Sequence, residues 1–193
     1  MQYRIEKIGI HILAFMVARC ELLGMYPFVV PFFMAAYLQD RSSISLFAVL
    51  VLGILSRFAW QEALRYGIVL LFLLALLKGT KREVIFSGTV QIALASGMIL
   101  WGVSMPFEYL VTGREISVIY TFLEGVIVCC ATCVFEQGFA AARSGTSRIF
   151  ADNRRFIGVF GIMTAGLFGC PDIARPVPLI FVMISYLVMY LSY

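Results

Sequence analysis

The sequence predicts an all-α membrane protein, a polytopic integral bundle of about six to eight membrane segments with a proline-broken first segment. Three observations lead there. Hydrophobic residues fill 62% of the 193 positions and charged residues 13%, against about 45–50% and about 25% in soluble proteins. Mean hydropathy is +0.95. Apolar runs recur from residue 8 to the C-terminus, more than a soluble domain of this size can hide, so lipid replaces water around most of the chain.

The first run, 8–20, follows the basic start MQYRIEKI. A secretory signal opens the same way, but no small-residue cleavage site follows, so the run reads as a retained helix. The next run is 27–38. Together 8–38 exceeds one straight span, and 27–38 alone falls short, because a span takes about 20 residues. Pro27 and Pro31 do not fit inside one regular helix. Irregular backbone at membrane depth survives only where protein or water covers it. The region is therefore one kinked helix, or a helix followed by a half-helix. Runs 43–60 and 63–78 come next, then 84–105 and 115–135, which are comfortably long. Run 155–170 lies near the lower limit of about 17 residues, and 177–193 just reaches it. The whole chain, 1–193, reads as a single transmembrane domain, with the polar stretch 141–155 as a cytoplasmic loop.

Loop charges set the orientation in a cell membrane. Lys78, Lys81 and Arg82 form one basic loop, and Arg143, Arg148, Arg154 and Arg155 mark a second. Two spans separate them, so both face the cytoplasm. SMPFEYLVTGREI and GCPDIARP then lie outside, which puts the C-terminus inside. Arg4 and Lys7 place the N-terminus inside as well. That requires an even number of crossings before residue 78, whereas the runs 8–38, 43–60 and 63–78 give an odd number. Splitting 8–38 into two crossings, or making 43–60 re-entrant, restores the parity. The net charge of +4 is spread over short loops and does not indicate nucleic acid.

The polar residues within apolar runs are the candidate sites. Arg19 and Glu21 each carry an insertion cost of about 2.5–3.5 kcal/mol at mid-membrane. Two positions apart on a helix they point in different directions, so each finds a partner elsewhere or sits at an interface. They read either as a binding or coupling site, or as a structural polar lock. Glu124 stands in the surest span, YTFLEGVIVCCATCVFEQG. It is a proton or cation site, or a structural partner, for instance of Arg19. Cys130 and Cys133 form a CxxC beside Cys129, but zinc needs further ligands and the sole histidine, His11, is distant. They read as small residues packing a helix face. With no phosphate loop, no Ser-His-Asp set and no metal cluster, an enzyme and a cofactor are not expected.

The stretch FMVARCELLGMYPFVVPFFMAAYL resembles the first membrane segment of the stage II sporulation protein E family. The resemblance rests on Arg19, Cys20, Leu22, Leu23, Pro27, Phe28 and Phe32. Val29 stands where that family often has glycine. A later span of the family, with a mid-span glutamate and a Phe-x-x-Gly ending, is matched by Glu124, Phe135 and Gly138. In DNRRFIGVFGIMTAGLFG, Arg154 and Arg155 replace the family's acidic pair.

The resemblance implies a membrane anchor and localisation module acting at the asymmetric sporulation septum. Its implied partners are the lipid bilayer, further copies of itself, and a tubulin-like cell-division protein or a separately encoded cytoplasmic phosphatase. The manganese-dependent phosphatase domain of that family is not expected in this chain, which reads as a truncated or split member. The alternative is a small-solute transporter or a substrate-binding membrane subunit, because a broken helix near charged groups is how transporters build a midplane site. A transporter should gather several polar groups around the break.

Overall fold

The computed structural model describes residues 2–22, 24–38, 44–79, 88–112, 118–144 and 153–169. Among them the chain is all-helical. The seven α-helices are α1 (Gln2–Ala18), α2 (Val29–Leu38), α3 (Ile44–Leu55), α4 (Trp60–Gly79), α5 (Thr89–Phe107), α6 (Val118–Ser144) and α7 (Asn153–Phe168). They follow seven of the eight apolar runs; run 177–193 lies outside the described residues. The loop expected over 141–155 is shorter than expected at its start, because α6 continues to Ser144. Two helical stretches, Thr89–Val111 and Val118–Ala140, are long and apolar enough to cross a membrane.

The break after α1 is a reversal of chain direction, with α2 as a half-helix. Leu22 and Met25 exchange backbone hydrogen bonds of 2.8 and 3.0 Å, closing a tight turn in which Gly24 takes φ +80°, a conformation glycine enters without a Cβ clash. Pro27 lies in the following turn. Pro31 is the third residue of α2, within the first turn, where a missing N–H breaks no helical bond. A second irregularity closes α5: Pro106 lies in its last turn, and the five residues Glu108–Thr112 continue as a π-helical turn, a distortion expected where proline disturbs the ladder.

Ten residues make α2 about 15 Å long, half of a hydrocarbon core of about 30 Å. Every residue from Val29 to Ala36 is buried, as a helix apolar on all sides requires. It packs chiefly on α6 and also touches α1, α3, α4 and α5. Phe28 stacks on Phe135 at 5.9 Å between ring centres, and Phe32 meets Phe139 edge-on at 5.2 Å.

Neighbouring contacts fix the directions. His11 meets Ser45 and Gly53 lies against Phe15 and Ala18, so α1 and α3 run the same way. Gly166 lies against Leu13, and Gly169 against Met16, so α7 runs with them. Thr121 contacts Met105 and Ser96 contacts Thr132, so α5 and α6 are antiparallel. Gly138 faces Gly158, and Gly161 faces Val134, so α6 and α7 are antiparallel too. The Phe28–Phe135 and Phe32–Phe139 pairs set α2 parallel to α6. Successive helices therefore alternate in direction, and the reversal at residues 19–28 separates α1 from α2. One end of the bundle gathers the α1–α2 break, the α3–α4 turn, the end of α5 and the start of α6.

Candidate functional site

The polar residues at that end sort into two groups. The inner group centres on Arg65, only 3% exposed. It lies on α4, one and a half turns after Trp60, so its side chain enters the bundle between α5 and α6. Nη1 and Nη2 donate to the two carboxylate oxygens of Glu124 at 3.0 and 2.9 Å, a bidentate pairing that fits the planar guanidinium. Nη1 also donates to Ser104 Oγ at 3.3 Å. The next residue, Tyr66, is fully buried and donates its hydroxyl to Glu124. The same hydroxyl accepts the backbone N–H of Tyr26 at 3.0 Å.

This contact joins the break to the network. Tyr26 precedes α2, where backbone N–H groups lack helical partners and the dipole is positive. Tyr66 passes that end's hydrogen bond on to the Glu124 carboxylate. Two further carboxylates flank the group. Glu62 Oε2 lies 2.6 Å from Arg65 Nη2, an ion pair that lacks hydrogen-bond alignment. Glu108, in the π turn, lies 3.9 Å from Nη1. One cation thus faces three carboxylates drawn from α4, the end of α5 and α6.

The outer group holds the residues first singled out. Glu21 accepts from Arg57 Nη2 at 3.2 Å. Both side chains are about a third exposed, and such pairs contribute about 0–1 kcal/mol. Glu21→Ala is therefore expected to shift the melting temperature of the purified protein only slightly, which a thermal unfolding curve checks. Arg19 donates Nε to Gly169 O at 3.1 Å and Nη1 to Ser56 Oγ at 2.6 Å, tying α1 to the ends of α7 and α3.

The partners thus differ from the simplest sequence pairing. Glu124 pairs with Arg65, 59 positions away, and not with Arg19. Arg65, Glu62 and Glu108 were not singled out from sequence. The available signal was an arginine inside the apolar run 63–78, where an ionisable residue calls for a partner. Pro27 lies in the turn that ends the break, and Pro31 in the first turn of α2. Cys129 packs against α5, donating to Ala93 O at 3.2 Å. Cys130 is exposed in the bundle and so does not pack the core. No group of three or more His, Cys, Asp or Glu residues able to hold a metal occurs among the described residues.

No protein-family profile, characterised protein or solved structure matches this chain.

Proposed function

We propose that this chain is a multi-pass membrane domain that anchors and localises, of the stage II sporulation protein E type, working at the asymmetric septum. The observation that carries the structural part of this reading is the closed state of the Arg65 network. Its central groups are buried and bonded to one another, so the cluster acts as a lock that fixes the half-helix to α4, α5 and α6. A lock suits a rigid scaffold. The sporulation role rests on the sequence resemblance around Arg19–Phe32 and Glu124–Gly138.

The alternating helix directions support a multi-pass topology. Arg4, Lys7, Lys78, Lys81, Arg82, Arg143, Arg148, Arg154 and Arg155 all fall, in sequence, at or between the helix ends opposite the break. The break end carries mixed charge: Arg19, Arg57 and Arg65 with Glu21, Glu62, Glu108 and Glu124. The positive-inside rule then puts the N-terminus in the cytoplasm and the break toward the outer face. Arg19, Glu21, Pro27, Pro31 and Glu124 serve this reading as structural polar contacts and breakers.

A second reading, small-solute transport, is favoured by one observation: several polar groups do gather at the N-terminal end of a buried half-helix, the arrangement transporters use. Localisation separates the two. A fluorescent fusion of the full chain, followed through sporulation in its own host, is expected to concentrate at the asymmetric septum. Uniform membrane fluorescence in cells that sporulate normally without the protein would remove the anchor role and favour transport.

A further inference from the structure

Beside the break lies a cavity of about 840 Å³, bounded by the α1–α2 break, α6 and α7. Its size falls within the ~300–1,000 Å³ typical of small-molecule sites. Its two ends differ chemically. Arg19, Glu21 and Arg57 stand at the break end, and Phe28, Val134 and Phe160 form an apolar wall deeper in the bundle. Glu21 is engaged by Arg57. Arg19 is bonded only to neutral oxygens, those of Gly169 and Ser56, with its guanidinium 5.7 Å from the Phe15 ring centre. Among the described residues no carboxylate pairs with it, and its Nη2 has no hydrogen-bond partner.

A cation without a counter-charge at the mouth of an apolar cavity calls for an anion, since a charge near a low-dielectric wall is stabilised chiefly by a partner charge. Guanidinium suits phosphate and carboxylate, to which it donates two parallel bonds. The apolar wall suits a hydrocarbon chain, which packs against it by van der Waals contact as it would against lipid. We propose that the cavity binds an anionic amphiphile, a phosphate or carboxylate head on a long hydrocarbon tail, with the head on Arg19 and the tail between α6 and α7. The site meets the Arg65 network through Tyr26, whose hydroxyl donates to Glu21 at 3.5 Å and whose N–H donates to Tyr66, and it holds for an anchor and for a transporter alike.

The test uses the full chain in phosphatidylcholine nanodiscs, with photoactivatable phosphatidic acid and a photoactivatable fatty acid as probes. Both are expected to crosslink to peptides covering 126–135 and 160–168 of the cavity wall. Photoactivatable diacylglycerol, which has the tails without the charge, is expected to be captured about tenfold less, the equivalent of about 1.4 kcal/mol. Arg19→Gln should lower capture of the anionic probes to the diacylglycerol level, whereas Arg19→Lys should retain most of it. Thr164→Phe narrows the cavity at its α7 wall, away from the partners of Arg19, and should lower capture of the anionic probes even if the Arg19 variants fold poorly. Equal capture of diacylglycerol, or capture unchanged by Thr164→Phe, would overturn the proposal in favour of ordinary lipid contact. Displacement of the probes by inorganic phosphate alone would overturn it in favour of a free-anion site.

Discussion

Arg65→Ala is expected to destabilise the protein by about 3–5 kcal/mol, the cost of leaving a buried charge without its partner. Glu124 is 1% exposed, and without Arg65 it keeps only the Tyr66 hydroxyl. The loss extends beyond one pair, because the Arg65–Glu124 bonds, the Tyr66 hydroxyl and the Tyr26 N–H form one connected group. Its members come from two helices, α4 and α6, and the break. Thermal unfolding in detergent micelles, read by the monodisperse fraction remaining after heating, should show a large drop in the midpoint. Glu124→Gln should cost less, since the amide oxygen can still accept from Tyr66 and Arg65. Replacing both members, Arg65→Met with Glu124→Leu, should recover most of the stability, because well-packed apolar pairs often equal a buried ion pair. If Arg65→Ala melts like the native protein, the network is not the lock described above. If the double variant is as unstable as the single one, the network contributes orientation that packing cannot replace.

Gly158→Leu is expected to be comparably damaging through a different cause. The α6–α7 contact is the most extensive pairing of helices in the bundle, and at its crossing the two backbones touch through glycines. A Cβ added at Gly158 would overlap the backbone nitrogen of Gly138, and one added at Gly138 would lie 2.6 Å from the carbonyl carbon of Gly158. Backbone cannot rotate aside as a side chain can, so the helices must separate. Overpacking typically costs about 1–3 kcal/mol, and here the spread also loosens the seat of Phe135 and hence of α2. Gly102, with open space around its Cβ position, is the control: Gly102→Leu should melt close to the native protein. Equal tolerance at both glycines would mean that α6 and α7 do not approach as closely as described. Close approach through small residues is the usual way apolar helices associate where no hydrophobic driving force separates them from lipid.

The sequence alone determined the helical class, the order and approximate place of each described helix, though α1 starts six residues before its expected run and α6 ends nine after its own, and a break near Pro27. These are local properties. Long apolar runs, the lost N–H of proline and the conformational freedom of Gly24 act within a few residues of themselves, so composition and order suffice to read them. It also marked Arg19, Glu21 and Glu124 as charges in need of partners, because the cost of an unpaired charge depends on its surroundings being apolar.

Which partners they take was decided only by the tertiary structure. Arg57 and Glu21, or Arg65 and Glu124, meet because α3, α4 and α6 converge at one end of the bundle, and no periodicity within a helix encodes that convergence. The same holds for helix direction. The choice between a kinked helix and a reversing half-helix depended on what could cover α2 on all sides, and five neighbouring helices do so. Burial of a ten-residue helix and pairing of charges far apart in sequence are both properties of several elements packed together, and that packing is the physical reason they became legible only in three dimensions.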